Sequence, residues 1–374
     1  MQPTLTAPVR QNLLAMQNTA RMLSQTQTRL ATGKKVNSAL DNPSAYFQAK
    51  GLDDRSRALG QLLDQISMAQ STVEAADNAL DTISTLVGQA RGIAQQALQA
   101  DGATATITSA NAFAGGNAGT IDVTVDGVTT TVSVAAGDTA ADFASSLSAV
   151  DGISASVDAS NRIVIEAEGR EISISNSTAA SDGFTNAETA TYTADPTREA
   201  LAEQYNEIRR QIDEVARDAG FNGVNLLNGD SLTVAFNEKT SASGERSSLT
   251  LDGTTVDSVS LGISRVQDFN AATNVSGGFQ MDSAINASLD ELTGSLSSLE
   301  RTASRYASDQ AVLQIREDFT NDMINTLQAG SDKLTLADPN EEGAKMLALQ
   351  TRQELASTAL ALSSQAQQGV LRLF

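Results

Sequence analysis

Apolar residues recur along this chain in steps of three and four over long distances. From Leu59 the series Leu62, Ile66, Ala69, Val73, Ala76, Leu80, Ile83, Val87, Ala90, Ala94 and Ala97 continues without a slip. That spacing keeps one narrow stripe of a helix apolar, and Asn42-Pro43 ahead of it offers an N-cap followed by proline at the first helical position. The pattern predicts a helix of roughly 55 residues, about 80 Å long. A helix of that length cannot bury its seam against itself, so it needs partners of similar length. Gly60, Gly88 and Gly92 weaken it and are expected to mark close helix approaches.

Both ends of the chain carry the same spacing. Near the start it runs through Leu13, Met16, Ala20, Leu23 and Leu30, with Gln27 filling one slot, between Pro8 and Gly33. Near the end it runs through Leu355, Ala359, Leu362, Ala366, Gly369 and Leu373. Chain termini are usually polar; these are seams made to pack against other helices, either as an ordinary pair of terminal helices inside one domain or, the favoured expectation, against other copies of the chain. A further long helix is predicted at Ile285, Leu289, Leu292, Leu296, Leu299, Ala303 and Tyr306, loosening at Gln310 and Glu317 and recovering at Ile324 and Leu327. A shorter one is predicted at Leu201, Tyr205, Ile208, Ile212 and Val215.

Between the helical stretches the period changes to two. Ile121, Val123 and Val125 alternate before Asp126-Gly127, and Thr130, Val132 and Val134 alternate after it, which predicts a hairpin. Thr139 with Asp142 forms a capping-box pattern ahead of Phe143, Leu147 and Val150. Ile153 to Ile174 returns to strand spacing. A second hairpin region is predicted over 231–263, from Leu232, Val234 and Phe236 through Leu249 and Leu251 to Leu261 and Ile263.

The fold class expected is mainly α with an α+β insertion. The N- and C-terminal regions would form a long antiparallel helical hairpin or coiled-coil rod, with a β-hairpin region and a small α+β outer domain. The expected domains are 1–42 with 337–374 (inner terminal helices), 43–103 with 196–336 (long helices plus β-hairpin) and 104–195 (the exposed insertion).

Charge sharpens this division. The chain of 374 residues carries a net charge of -20, yet residues 1–40 hold five basic residues and no acid. The insertion holds twelve acids against two arginines. So acidic a balance argues against nucleic acid, which needs a basic footprint. No apolar run is long enough for a membrane span, and the start lacks the pattern of a secretory signal.

Composition removes most catalytic chemistry. There is no His and no Cys, which excludes His-based triads and thiolate or imidazole metal sites, and there is no Trp. Thr32-Gly33-Lys34-Lys35 lacks the first glycine and the final Ser or Thr of a phosphate loop. The adjacent acids Asp53-Asp54 and Glu341-Glu342 sit near helix starts, where the macrodipole accounts for them. The sequons at Asn176, Asn274 and Asn286 are expected by chance in so Asn- and Ser-rich a chain. No cofactor, metal or catalytic residue is predicted.

Several stretches then fall into a known order. Leu30-Ala31-Thr32-Gly33-Lys34-Lys35-Val36-Asn37-Ser38-Ala39 with Asp41, then Phe221-Asn222-Gly223-Val224-Asn225-Leu226-Leu227, then Thr335 to Phe374 with Gln365-Ala366-Gln367-Gln368-Gly369-Val370-Leu371, resemble the bacterial flagellins. Residues 138–157 also resemble an insertion module shared with the filament cap protein. The resemblance implies a structural subunit, not an enzyme, exported through the hollow flagellum and polymerised at its tip for swimming motility. It implies as partners other copies of the chain, the flagellar export apparatus and an export chaperone, and the hook-junction and cap proteins. The residues expected at the polymerisation interface are Leu13, Met16, Leu23, Leu30, Leu355, Leu362 and Leu373. Two departures stand out. Asn42-Pro43-Ser44-Ala45-Tyr46 replaces the common Asp-Ala-Ala-Gly-Leu. The family stretch Arg-Val-Arg-Glu-Leu, tied to the host flagellin-sensing Toll-like receptor, reads Gln89-Ala90-Arg91-Gly92-Ile93, so Gln89, Arg91, Gly92 and Ile93 form a degenerate receptor segment. A hook–filament junction protein of the same family and a secreted enzyme carried in the insertion are the alternatives.

Overall fold

The computed structural model describes residues 7–115, 117–175, 183–185, 188–239, 245–269 and 278–371. The chain is mostly helical, with small antiparallel sheets. Helix α1 spans Ala7–Thr32, α2 Pro43–Gln99, α3 Ala140–Leu147, α4 Pro196–Asp218, α5 Asp282–Thr335 and α6 Pro339–Leu371. At 57 residues α2 is about 85 Å long. Of its twelve predicted seam residues, all but Leu62 are buried. Gly60, Gly88 and Gly92 do not mark close approaches, because a Cβ at any of them would meet nothing within 4 Å. The close approach falls instead at Gly330 of α5, where a Cβ would come within 3.2 Å of the Leu52 side chain.

The α5 helix does not loosen where its apolar pattern does. Its seam runs on through polar side chains, with Ser288, Ser295, Thr320, Ser331 and Thr335 buried among Ile285, Leu292, Leu299, Tyr306, Leu313 and Leu327. Hydroxyls are tolerated there because several bond back to their own helix, as Thr320 Oγ1 does to the Arg316 carbonyl (2.7 Å) and Thr335 Oγ1 to that of Ser331 (2.9 Å).

The chain divides into two compact units, one holding 1–67, 235–249 and 314–374, the other 68–234 and 250–313. Ten strands are described: β1 Thr104–Thr108, β2 Gly119–Val125, β3 Val128–Val134, β4 Ser154–Val157, β5 Ile163–Glu168, β6 Ile172–Ser175, β7 Glu188–Thr189, β8 Thr191–Thr193, β9 Ser231–Ala235 and β10 Ser248–Asp252. In the second unit they form two four-stranded sheets, ordered β4-β5-β1-β8 and β3-β2-β6-β7. Both bury alternate residues against α3, around Phe143, Leu147, Ile107, Ile121, Ile163 and Ile165. The predicted β2–β3 hairpin turns at Asp126 (φ 51°) and Gly127 (φ 80°), and the Thr139–Asp142 capping box starts α3. β9 pairs with β10. Leu261 and Ile263 are buried but lie in a turn, not a strand: the Leu261 and Ile263 amides donate to the carbonyls of Asp257 and Ser258, with Gly262 at φ 73°.

In the second unit Arg198, on the first turn of α4, is almost completely buried. Its guanidinium donates to the carbonyls of Ala100, Phe279 and Gln280 and pairs with Asp282 at 2.8 Å. The segments entering and leaving the two sheets converge there. The Ala103 amide donates to Gln280, that of Gly169 to Ala103 and that of Asp282 to Gly169. A Cβ on Gly102 would sit 2.2 Å from the Gly169 backbone, so only glycine fits.

Candidate functional site

The terminal helices α1 and α6 pack along each other in the first unit. In α1 the stripe withdrawn from solvent runs through Val9, Asn12, Met16, Thr19, Leu23, Thr26 and Leu30, with Arg29 half-buried at its edge. In α6 it runs through Glu342, Met346, Leu349, Gln353, Ala356, Leu360 and Ser363, with Gly343 half-buried beside Glu342. Each set advances by three and four, so one stripe of each helix is covered. Arg29 near the end of α1 reaches Glu342 at the start of α6 (3.5 Å), and Lys345 contacts Glu342 (3.1 Å) and Glu341 (2.7 Å). The C-terminal end of α1 therefore lies beside the N-terminal end of α6. Glu342 is buried, a role its adjacent-acid pattern did not reveal; the clue was its place one heptad before Leu349.

The connectors fix this pairing. Gly33 adopts φ 67°, ending α1. The Lys35 amide then donates to the Thr335 carbonyl (2.7 Å) and that of Ala337 to Gly33 (2.9 Å). Asp41 closes the following turn by accepting from the amides of Asn37 and Ser38, each at 3.0 Å. Those bonds, the Asn37 amide first, hold its carboxyl below the usual carboxylate range.

The expected interface residues divide into two groups. Met16, Leu23 and Leu30 lie half-buried on the stripe of α1 that faces α6. Leu13 is exposed, as are Leu14 and Met22 on the same helix. Leu355 and Leu362 are 66% and 68% exposed, and Leu347 on the same helix is 64% exposed. So α6 is apolar on two faces, one covered within the chain and one open. Leu373 lies outside the described residues, as do the Asn176 and Asn274 sequons. On α2, Gln89, Arg91 and Gly92 are exposed and Ile93 is half-buried between Ala90 and Ala94. No described helix is long and apolar enough to cross a membrane.

The family model described as the bacterial flagellin N-terminal helical region matches residues 6–122. Flagellin FljM of Caulobacter vibrioides is 24% identical across 97% of this chain and 95% of its own length. Flagellin A of Rhizobium meliloti is 23% identical across 97% of this chain and 96% of its own. The chain belongs to the bacterial flagellins. Flagellin B of Rhizobium meliloti reaches 33% identity, over 25% of this chain and 22% of its own. This flagellin is a structural subunit of the flagellar filament, and its paired terminal helices are the candidate assembly surface.

Proposed function

We propose that this flagellin polymerises head to tail through the open faces of α1 and α6, building an extracellular filament that drives swimming. The observation that carries this reading is that Leu347, Leu355 and Leu362 stay exposed after α1 has covered the other face of α6. An apolar stripe on both sides of one helix suits a helix flanked by two others. In the filament the terminal helices (1–42 with 337–374) line the inner tube, the long helices (43–103 with 196–336) the surrounding shell and the insertion (104–195) the solvent-facing surface. Their packing there extends the α1–α6 pairing into an antiparallel coiled coil. The export apparatus and an export chaperone deliver the chain; hook-junction and cap proteins bound the filament it forms. Electron microscopy of purified protein after adding filament seeds tests this: long filaments growing from the seeds are expected, and protein that stays unassembled would overturn it.

The receptor segment leads to a second expectation. Arg91 alone keeps the family's charge there, and Gly92 stands in place of an acid. A receptor that reads paired charges loses most of its ion pairing at this surface, so activation of the host flagellin-sensing Toll-like receptor should be weak or absent. A reporter-cell assay checks it, full potency beside a flagellin with the intact motif being the contrary result.

A further inference from the structure

The two sheets of the second unit differ in how their edges are protected. An exposed strand edge offers unpaired N–H and C=O groups to any passing strand, and folded proteins usually blunt it. β7 has two residues and β8 three, too short to template much. β4 is plugged: Ser148 Oγ accepts from the Ala155 amide (2.9 Å) and donates to the Ala155 carbonyl (3.3 Å). β3 has none of these devices. It runs seven residues, Val-Thr-Thr-Thr-Val-Ser-Val, with no charge, no proline and β2 as its neighbour on one side.

Register shows which groups lie open. In a two-residue hairpin the residues flanking the turn, Val125 and Val128, exchange hydrogen bonds, and so do alternate pairs beyond them. The backbone groups of Thr129, Thr131 and Ser133 therefore point away from β2. All three residues are exposed, and no described residue bonds their amides or carbonyls.

We propose that β3 is a docking edge for β3 of a second copy of this chain, paired antiparallel about a two-fold axis through Thr131, which joins neighbouring filaments side by side. The proposal rests on the filament reading above. The strand is complementary to itself. With Thr131 on the axis, Thr131 meets Thr131 of the second copy, and Thr129 meets Ser133 of the second copy. Every open group then finds a partner, and the cross-strand pairs are hydroxylic with no like charges opposed. On the other face Val128, 69% exposed, gains Val134 of the second copy as a neighbour. A two-fold contact has no place between equivalent subunits of a helix built head to tail, so the second copy comes from another filament. The twelve acids of the insertion oppose this approach at low salt; screening shortens from about 10 Å at 0.1 M to about 3 Å at 1 M. Association should therefore rise with salt.

The test uses filaments of the full chain in 0.05 M and 0.5 M NaCl (chosen conditions), examined by electron microscopy and low-speed sedimentation. Wild-type filaments are expected to bundle at the higher salt and Thr131→Lys filaments to stay single at both. The chain has no cysteine, so Thr131→Cys introduces one thiol. Oxidation at high salt should give at least about ten times more covalent dimer than at low salt, and Ser156→Cys on the plugged edge should give none; paired Cα atoms about 5.5 Å apart suit a disulfide. Wild-type filaments that stay single at high salt, or a Thr131→Cys dimer equally abundant in dispersed filaments, would overturn the proposal. Should no filaments form, the filament reading fails by itself, and the Thr131→Cys cross-link of unassembled protein at 0.5 M NaCl still decides whether β3 pairs.

Discussion

Leu362→Asp should abolish seeded filament growth while leaving the unassembled chain as stable as wild type. Leu362 is 68% exposed, so its replacement removes little packing within the chain. Surface substitutions of that kind usually stay within about 0.5 kcal/mol. In the proposed filament the same side chain is covered by a neighbour, where a buried leucine contributes roughly 1.5–3 kcal/mol. A carboxylate there adds a desolvation penalty of several kcal/mol with no partner. At about 1.4 kcal/mol per factor of ten, loss of the leucine alone raises the concentration needed for growth by roughly 10- to 150-fold. The carboxylate carries it beyond any practical range. Light scattering after seeding measures growth, and thermal unfolding followed by circular dichroism measures the chain. Leu23→Asp is the informative contrast: Leu23 is half-buried on the α6-facing stripe, so that variant should lose pairing within the chain as well. Filaments of ordinary length from Leu362→Asp would remove the open face of α6 from assembly.

The long helices were legible because burial and apolar spacing coincide in α2. Nothing but a helix keeps Leu59 through Ala97 on one stripe, and no polar residue interrupts the series. Legibility fails where the seam is polar. In α5 the stripe passes through Ser295, Thr320 and Ser331, which apolar counting skips although each is buried. In α6 two stripes compete. The one through Leu355 and Leu362 is richer in leucine and dominates the sequence, yet the stripe covered by α1 includes Gln353 and Ser363. Sequence spacing identifies apolar faces but not which partner covers each, because both faces satisfy the same period. The glycines failed for a related reason. Gly88 and Gly92 sit on the solvent side of α2, whereas Gly102 and Gly169 are needed where two backbones touch, a juxtaposition 67 residues apart in sequence.

Arg198→Met should destabilise the second unit by about 3–5 kcal/mol, chiefly because buried backbone carbonyls lose the donor that satisfies them. The methionine fills most of the space but supplies no donor. The carbonyls of Ala100 and Phe279 lose the guanidinium that now bonds them, whereas that of Gln280 keeps the Ala103 amide; a buried acceptor left without a partner costs about 1–3 kcal/mol. Asp282 is partly exposed and turns to water at smaller cost. Because the segments entering and leaving the sheets are joined by backbone hydrogen bonds at this point, the loss should be felt locally before it is felt globally. Hydrogen exchange at the Ala103 and Gly169 amides, which donate across the junction, should accelerate by roughly two to four orders of magnitude, the equivalent of that free energy. Calorimetry should show a fall of roughly 6–20 °C in the corresponding transition. Glu199→Ala, one residue along on the solvent side of α4, should change neither. Arg198→Lys separates charge from geometry: one ammonium cannot span carbonyls on two segments as the planar fork does, so a partial loss is expected. Unchanged exchange at Gly169 in Arg198→Met would show that the junction holds without its arginine, through the backbone bonds alone.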